Sequence, residues 1–295
     1  MSANAAIYEV HDESFTPSTW GDARLAKHFG DCRWAEGPAY FPAGSYLLWS
    51  DIPNDRILRY DEVTDSVAVF RIPAGNSNGQ TVDRRGRLVT CEQGERRVTR
   101  TECDGSVTVL TDRFEGKRYN SPNDVVVRID GSIWFTDPTY GIRTDYEGRR
   151  AEPEQAGSYV YRIDPSTGAV SRVLDGFGQP NGLAFSPDEK RLYVVDSGRD
   201  ELRRYDVSGD RLSEPIVLPG AGYDGIRFDT AGRIWAGATD GVHCIDADGR
   251  LLGKILVPET VANLVFGGLK RNRLYLAGTT SLYSVMVSVT GHPTF

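Results

Sequence analysis

The sequence predicts an all-β protein, a six-bladed β-propeller with a central channel and a short N-terminal helix. Three observations predict it. Short runs of β-branched and aromatic residues recur six times: YLLWSD (46–51), RLVTCE (87–92), SIWFTD (132–137), RLYVVD (191–196), RIWAGA (233–238) and RLYLAG (273–278), each of strand length and composition. The chain holds 32 glycines, many in DG dipeptides (104–105, 130–131, 224–225, 240–241, 248–249) or NG dipeptides (78–79, 181–182), which supply the positive φ of tight hairpins. Upstream of each run a polar residue opens a second short strand: Glu36, Asn78, Asn123, Asn181, Asp224 and Asn263, at intervals of 39 to 58 residues. Such periods mark propeller blades. A sandwich would not account for six phase-matched units, and the period-2 patterning excludes a helical solenoid.

At the N-terminus, PSTWGDARLAKHF (17–29) reads as a helix capped by Ser18 or Thr19. A closed ring leaves no exposed sheet edges, so AIYEV (6–10) is expected to pair within the last blade beside SLYSVMVSV (281–289). Residues 1–30 are therefore read as a segment packing on the propeller and helping to close it. Residues 31–295 are read as one propeller domain. The longest interval contains EGRRAEPEQAG (147–157), read as a surface excursion of one blade. The WSD, FTD and VVD endings read as turn residues at strand ends.

Composition narrows the function classes. The 295 residues are 39% hydrophobic, enough for a core and against wholesale disorder. Lys and Arg number 34 against 41 Asp and Glu, a net charge of −7, the wrong sign for neutralising nucleic-acid phosphates. No apolar run approaches the ~18 residues of a membrane span. MSANAAIYEVHDE lacks a basic start leading into an apolar stretch, which places the expected location in the cytoplasm. Four scattered cysteines with no CxxC pair imply neither a disulfide framework nor zinc, and reduced thiols are expected.

Residues at one phase of a closed propeller occupy equivalent places around its axis. Glu36, Asp224, Asn78, Asn123, Asn181 and Asn263 should therefore converge on one mouth of the channel. Two converging carboxylates repel unless a cation or a shared proton intervenes. Oxygen donors without His or Cys suit a hard cation, calcium best. Magnesium, manganese and zinc stay open, zinc least because it favours His and Cys. Any single Asn or Asp before Gly is an ordinary turn residue; the shared phase carries the functional reading. GNSNG (75–79) has the spacing of a nucleophile elbow but is followed by a strand pattern rather than a helix, so Ser77 reads as a loop serine.

RWAEGPAYF (33–41), YNSPNDVVVRIDGSIWFTDPTYGI (119–142), QPNGLAFSPDEKRLYVVDS (179–197) and GYDGIRFDTAGRIWAGATDGVHCID (222–246) resemble the SMP-30/gluconolactonase/LRE-like family, in order and in register with the repeats. The resemblance implies a six-bladed propeller with one divalent cation in its channel and hydrolysis of sugar lactones. It implies Glu36, Asn181 and Asp224 as metal ligands, Asn123 as a substrate contact that also serves the metal, and Asp224 as proton donor and acceptor. Asp137 and Tyr140 are expected at the channel mouth as substrate contacts. The regucalcin-like branch carries an arginine where this chain has Ser121, so substrate recognition is expected to differ from that branch. The partner is then a small sugar lactone, not nucleic acid or membrane, on a monomer or homodimer. The alternatives are a related propeller esterase or organophosphate hydrolase, and a non-catalytic calcium-binding propeller.

Overall fold

A computed structural model describes residues 7–293. Six antiparallel blade sheets follow one another along the chain, with a separate two-stranded ribbon of Arg113–Phe114 and Lys117–Arg118 after the second. Blade 1 consists of Ala35–Phe41, Tyr46–Asp51, Arg56–Asp61 and Ser66–Arg71, and blade 2 of Ser77–Val82, Leu88–Glu92, Arg97–Thr101 and Val107–Thr111. Blade 3 is Val125–Val127, Ile133–Asp137, Ser158–Ile163 and Val170–Phe177; blade 4 is Pro180–Phe185, Arg191–Asp196, Glu201–Ser208 and Ile216–Pro219. Blade 5 is Ile226–Phe228, Ile234–Ala238, Gly241–Ile245 and Leu251–Leu256, and blade 6 begins Val261–Gly267, Arg273–Gly278, Leu282–Met286. The six recurrent runs are the second strands, buried on both faces because neighbouring blades stack on them. Their tryptophans Trp49, Trp134 and Trp235 are fully buried; Trp134 meets Phe185 of blade 4 edge-on at 5.3 Å, a favoured aromatic geometry.

Closure differs from expectation. Blade 6 takes its fourth strand from Ala26–Phe29, with Ala26 opposite Ser284 and Lys27 opposite Tyr283. The AIYEV segment does not pair there: Tyr8–Val10 adds a fifth strand to blade 5, Tyr8 opposite Ile255 and Val10 opposite Gly253. Ala6 lies outside the described residues. The physical reason is reach. The strand that completes blade 6 must lead within a few residues into blade 1 at Ala35, and residues 26–29 do so. The helix expected over 17–29 is instead a 3-10 turn at Glu13–Ser18, capped by Asp12, which accepts from the Ser14 N–H at 2.9 Å. Thr19 lies at its other end. Sheet pairing at an open edge overrides the modest helix propensity of ARLAKHF. Phe15 on this turn is wholly buried against Gly253 and Trp235.

The glycines divide into two kinds. Gly105, Gly131 and Gly249 have φ of +85°, +85° and +84° and make the hairpin turns read from sequence. The NG pairs at 78–79 and 181–182 and the DG pair at 224–225 do not make hairpins; they sit on the inner strands or just before them. There the missing Cβ lets adjacent blades touch at the axis. A Cβ on Gly182 would lie 2.2 Å from the Asp224 carbonyl oxygen, and one on Gly37 would lie 2.0 Å from that of Asn78. The contacts are hydrogen-bonded: Gly79 N–H donates to Asn123 O (2.7 Å), Gly182 N–H to Asp224 O (3.2 Å) and Gly225 N–H to Ala262 O (2.7 Å). No helix among the described residues is long and apolar enough to cross a membrane.

Candidate active site

The polar residue before each of these glycines faces the axis. Glu36, Asn78, Asn123, Asn181 and Asp224 line one cavity of about 210 Å³. Five of the six phase-matched residues are thus brought together by ring symmetry. The sixth, Asn263, is buried under Gly225 and accepts the Leu264 N–H at 2.9 Å rather than lining the space. Tyr140 lines the cavity as expected, carried on a single helical turn, Tyr140–Arg143.

Asp137 does not line it. Its carboxylate is fully buried one layer behind and accepts from the backbone N–H groups of Asn120 (2.9 Å) and Ser121 (2.8 Å). Burial is the largest influence on that carboxyl and pushes it up to about 7, against the two N–H donors that hold it down. The same device repeats. Asp51 accepts from the Arg33 N–H (2.9 Å), a short step ahead of Glu36. Asp196 accepts from Gly178 N–H (2.9 Å) and Gln179 N–H (2.8 Å), just ahead of Asn181. The WSD, FTD and VVD aspartates are therefore not surface turn residues. Each clamps the loop that delivers its own blade's cavity residue.

Several lining residues escaped the sequence reading: Trp34, Glu147, Ser197 and Tyr223. Two of them are chain neighbours of predicted positions, Trp34 near Glu36 and Tyr223 beside Asp224, and Ser197 follows the strand-end Asp196. Glu147 comes from the insertion read as a surface excursion; its first residue instead faces the cavity. Ser121 is committed to this insertion's base: its hydroxyl donates to Pro138 O (2.7 Å) and accepts from Gly141 N–H (3.0 Å). Ser77 is buried beside Ser50, whose hydroxyl donates to it at 3.1 Å, and none of the four histidines lines the cavity.

The electrostatics are unbalanced. Glu36 accepts the Gly37 N–H at 2.7 Å, and the Asn181 side-chain amide donates to the Ser197 hydroxyl at 3.1 Å. No lysine or arginine among the described residues pairs with Glu36 or Asp224. Burial pushes both carboxyls well up from the usual range, and the charges of Asp124 and Glu147, with that of Glu36 on Asp224, push further. Nearby, Asp124 of blade 3 and Arg227 of blade 5 reach each other at 3.5 Å, a contact between non-adjacent blades that spans the channel. No group of three or more His, Cys, Asp or Glu poised for a metal occurs among the described residues. The converging donors are the carboxylates of Glu36, Asp224 and Glu147 and several carboxamides.

A propeller whose axial mouth gathers carboxylates, carboxamides and aromatic rings into one small cavity is of the class built around a small-molecule site. The chain belongs to the SMP-30/gluconolactonase/LRE-like family, whose region matches residues 34–280. It is 30% identical to a gluconolactonase of Zymomonas mobilis subsp. mobilis, over 88% of this chain and 80% of that one. It is 33% identical to the pentonolactonase XacC of Haloferax volcanii, over 83% and 81%. The solved structure of XC5397 from Xanthomonas campestris, described as a gluconolactonase, superposes with a TM-score of 0.91 at 37% identity, covering 97% of this chain and 96% of that one.

Proposed function

We propose that this chain hydrolyses sugar lactones, water attacking the lactone carbonyl, with a divalent cation held on the axis by Glu36, Asn181 and Asp224 and with Asn123 beside it. The observation that carries the reading is the Glu36–Asp224 pair, Glu36 buried and Asp224 half-buried, in one cavity whose lining holds no basic side chain. Such a pair asks for a positive charge, and its all-oxygen surroundings suit a hard ion, calcium best. When bound, the cation supplies polarisation of the carbonyl oxygen, where negative charge grows in the transition state. Asp224 takes a proton from the attacking water and returns it to the ring oxygen as the ester C–O bond breaks. Asn181, whose amide donates to the Ser197 hydroxyl at 3.1 Å, lines the cavity with that carboxylate. Asn123 and Tyr140 contact the substrate, and Trp34 and Tyr223 line the same cavity.

The test is a pH-stat assay on glucono-δ-lactone, first with EDTA and then with Ca²⁺, Mg²⁺, Mn²⁺ or Zn²⁺ added back. Hydrolysis above the spontaneous rate, lost on chelation and restored by a cation, is expected. A rate equal to the spontaneous one under every condition overturns the proposal and favours a non-catalytic calcium-binding propeller. A paraoxon-like ester in the same panel separates lactonase from esterase activity.

A further inference from the structure

We propose that Glu147 is a specificity-determining residue that fits this cavity to uncharged polyhydroxy lactones and turns away lactones bearing a separate anionic group. The inference rests on the lactonase reading and says which lactones are taken.

Glu147 lines the cavity together with Glu36 and Asp224. It has no hydrogen-bond or ion-pair partner among the described residues, and no Lys, Arg or His belongs to the lining. Burial raises the Glu147 carboxyl and the guanidinium of Arg143 lowers it in part; Arg143 itself is exposed, lies over the Tyr140 ring at 4.8 Å and donates to Thr139 at 3.1 Å. A divalent cation would balance the charges of Glu36 and Asp224 and leave that of Glu147 facing the substrate.

The loop holds the backbone beside this carboxylate in place. Arg149 N–H donates to Gly141 O at 2.9 Å and Ala151 N–H to Ile142 O at 3.1 Å. Arg149 also reaches Glu95 at 2.9 Å. Gly148, next to Glu147, packs so closely that a Cβ there would lie 2.2 Å from the Gly141 carbonyl oxygen. The backbone following Glu147 is thus fixed to the helical turn that carries Tyr140. An ionised carboxylate only accepts hydrogen bonds and has two oxygens with which to do so. That matches a pair of sugar hydroxyls and opposes a sulfonate, phosphate ester or second carboxylate.

The experiment measures kcat and KM for glucono-δ-lactone and for its 6-phosphate ester, in the wild-type protein, Glu147→Gln and Glu147→Lys. The wild-type protein is expected to prefer the neutral lactone by at least about 100-fold in kcat/KM. Glu147→Gln is expected to raise KM for the neutral lactone about 10-fold with kcat within about 3-fold, and to narrow the preference at least 10-fold. Glu147→Lys narrows it further. Equal use of both lactones by the wild type overturns the inference without needing a variant. So does an unchanged ratio in a Glu147→Gln protein with the wild-type melting temperature. A wild type that opens neither lactone overturns the lactonase reading itself, and this inference with it.

Discussion

Glu36 and Asp224 are costly to the fold that carries them. Burial raises both carboxyls and their charged forms repel each other, and replacing either by its amide removes that repulsion at nearly constant volume. Without divalent cation, Glu36→Gln is therefore expected to melt at or above the wild-type temperature, while calcium should raise the melting temperature of the wild type and of Glu36→Gln much less. Calorimetry showing equally tight calcium binding in Glu36→Gln would remove Glu36 from the ligand set. Asp224→Asn is expected to lose about 10²–10⁴-fold in kcat while keeping its fold by circular dichroism. Near-normal turnover would count against the acid–base assignment. Stability gained where function is lost is the pattern expected of a site held in an unfavourable state.

Loops and hairpins show how single residues set these groups in place. Gly182 lets blade 4 meet the Asp224 carbonyl of blade 5. Gly182→Ala forces that backbone apart and is expected to lower the melting temperature by about 2–10 °C, from an overpacking cost of about 1–3 kcal/mol. A melting temperature within about 1 °C of wild type would show that the contact relaxes freely. Glu259 is a latch on blade 6, accepting from Thr280 N–H, the Ser281 hydroxyl and the Tyr283 hydroxyl, each at 2.6 Å. Burial raises its carboxyl, but these donors outweigh burial and hold it at about 2, below the ordinary value of 4.5. The sign follows from linkage: its contribution is complete above about pH 4.5 and fades as pH falls toward 2. Glu259→Gln should thus be less stable than wild type at about pH 7, and the gap should shrink in acid. A gap that widens in acid would contradict the assignment.

The ring as a whole is closed from its N-terminal side. Ala26–Phe29 completes blade 6, and Tyr275 of blade 6 donates across the seam to Glu62 of blade 1, which also accepts from Tyr40 of its own blade. Tyr8–Val10 only adds an edge strand to blade 5, though its Tyr8 hydroxyl also reaches Met286 O at 2.9 Å. Deleting residues 1–12 is expected to lower the melting temperature by several degrees and leave a folded propeller. Deleting residues 1–30 uncovers the strand of Leu282–Met286 and should yield aggregating protein, since an exposed sheet edge templates association. Equal effects of the two deletions would refute the division of labour between these segments.

Much of this was legible in the chain. Six phase-matched strand runs specify six blades, and the polar residue at one phase of each blade specifies what faces the axis, because closure turns sequence period into rotation. Glu36, Asn123, Asn181 and Asp224 were found that way. Glu147 was not, because it belongs to an insertion outside the repeat, and only the packing of that insertion on Gly141 turns it toward the cavity. The clamp made by Asp51, Asp137 and Asp196 repeats in the sequence, but its meaning depends on burial. An aspartate at a strand end reads alike whether water or a backbone N–H faces it. Which segment closes the ring was likewise a tertiary matter: Tyr8–Val10 and Ala26–Phe29 both suit a sheet edge, and distance to the first blade decided between them.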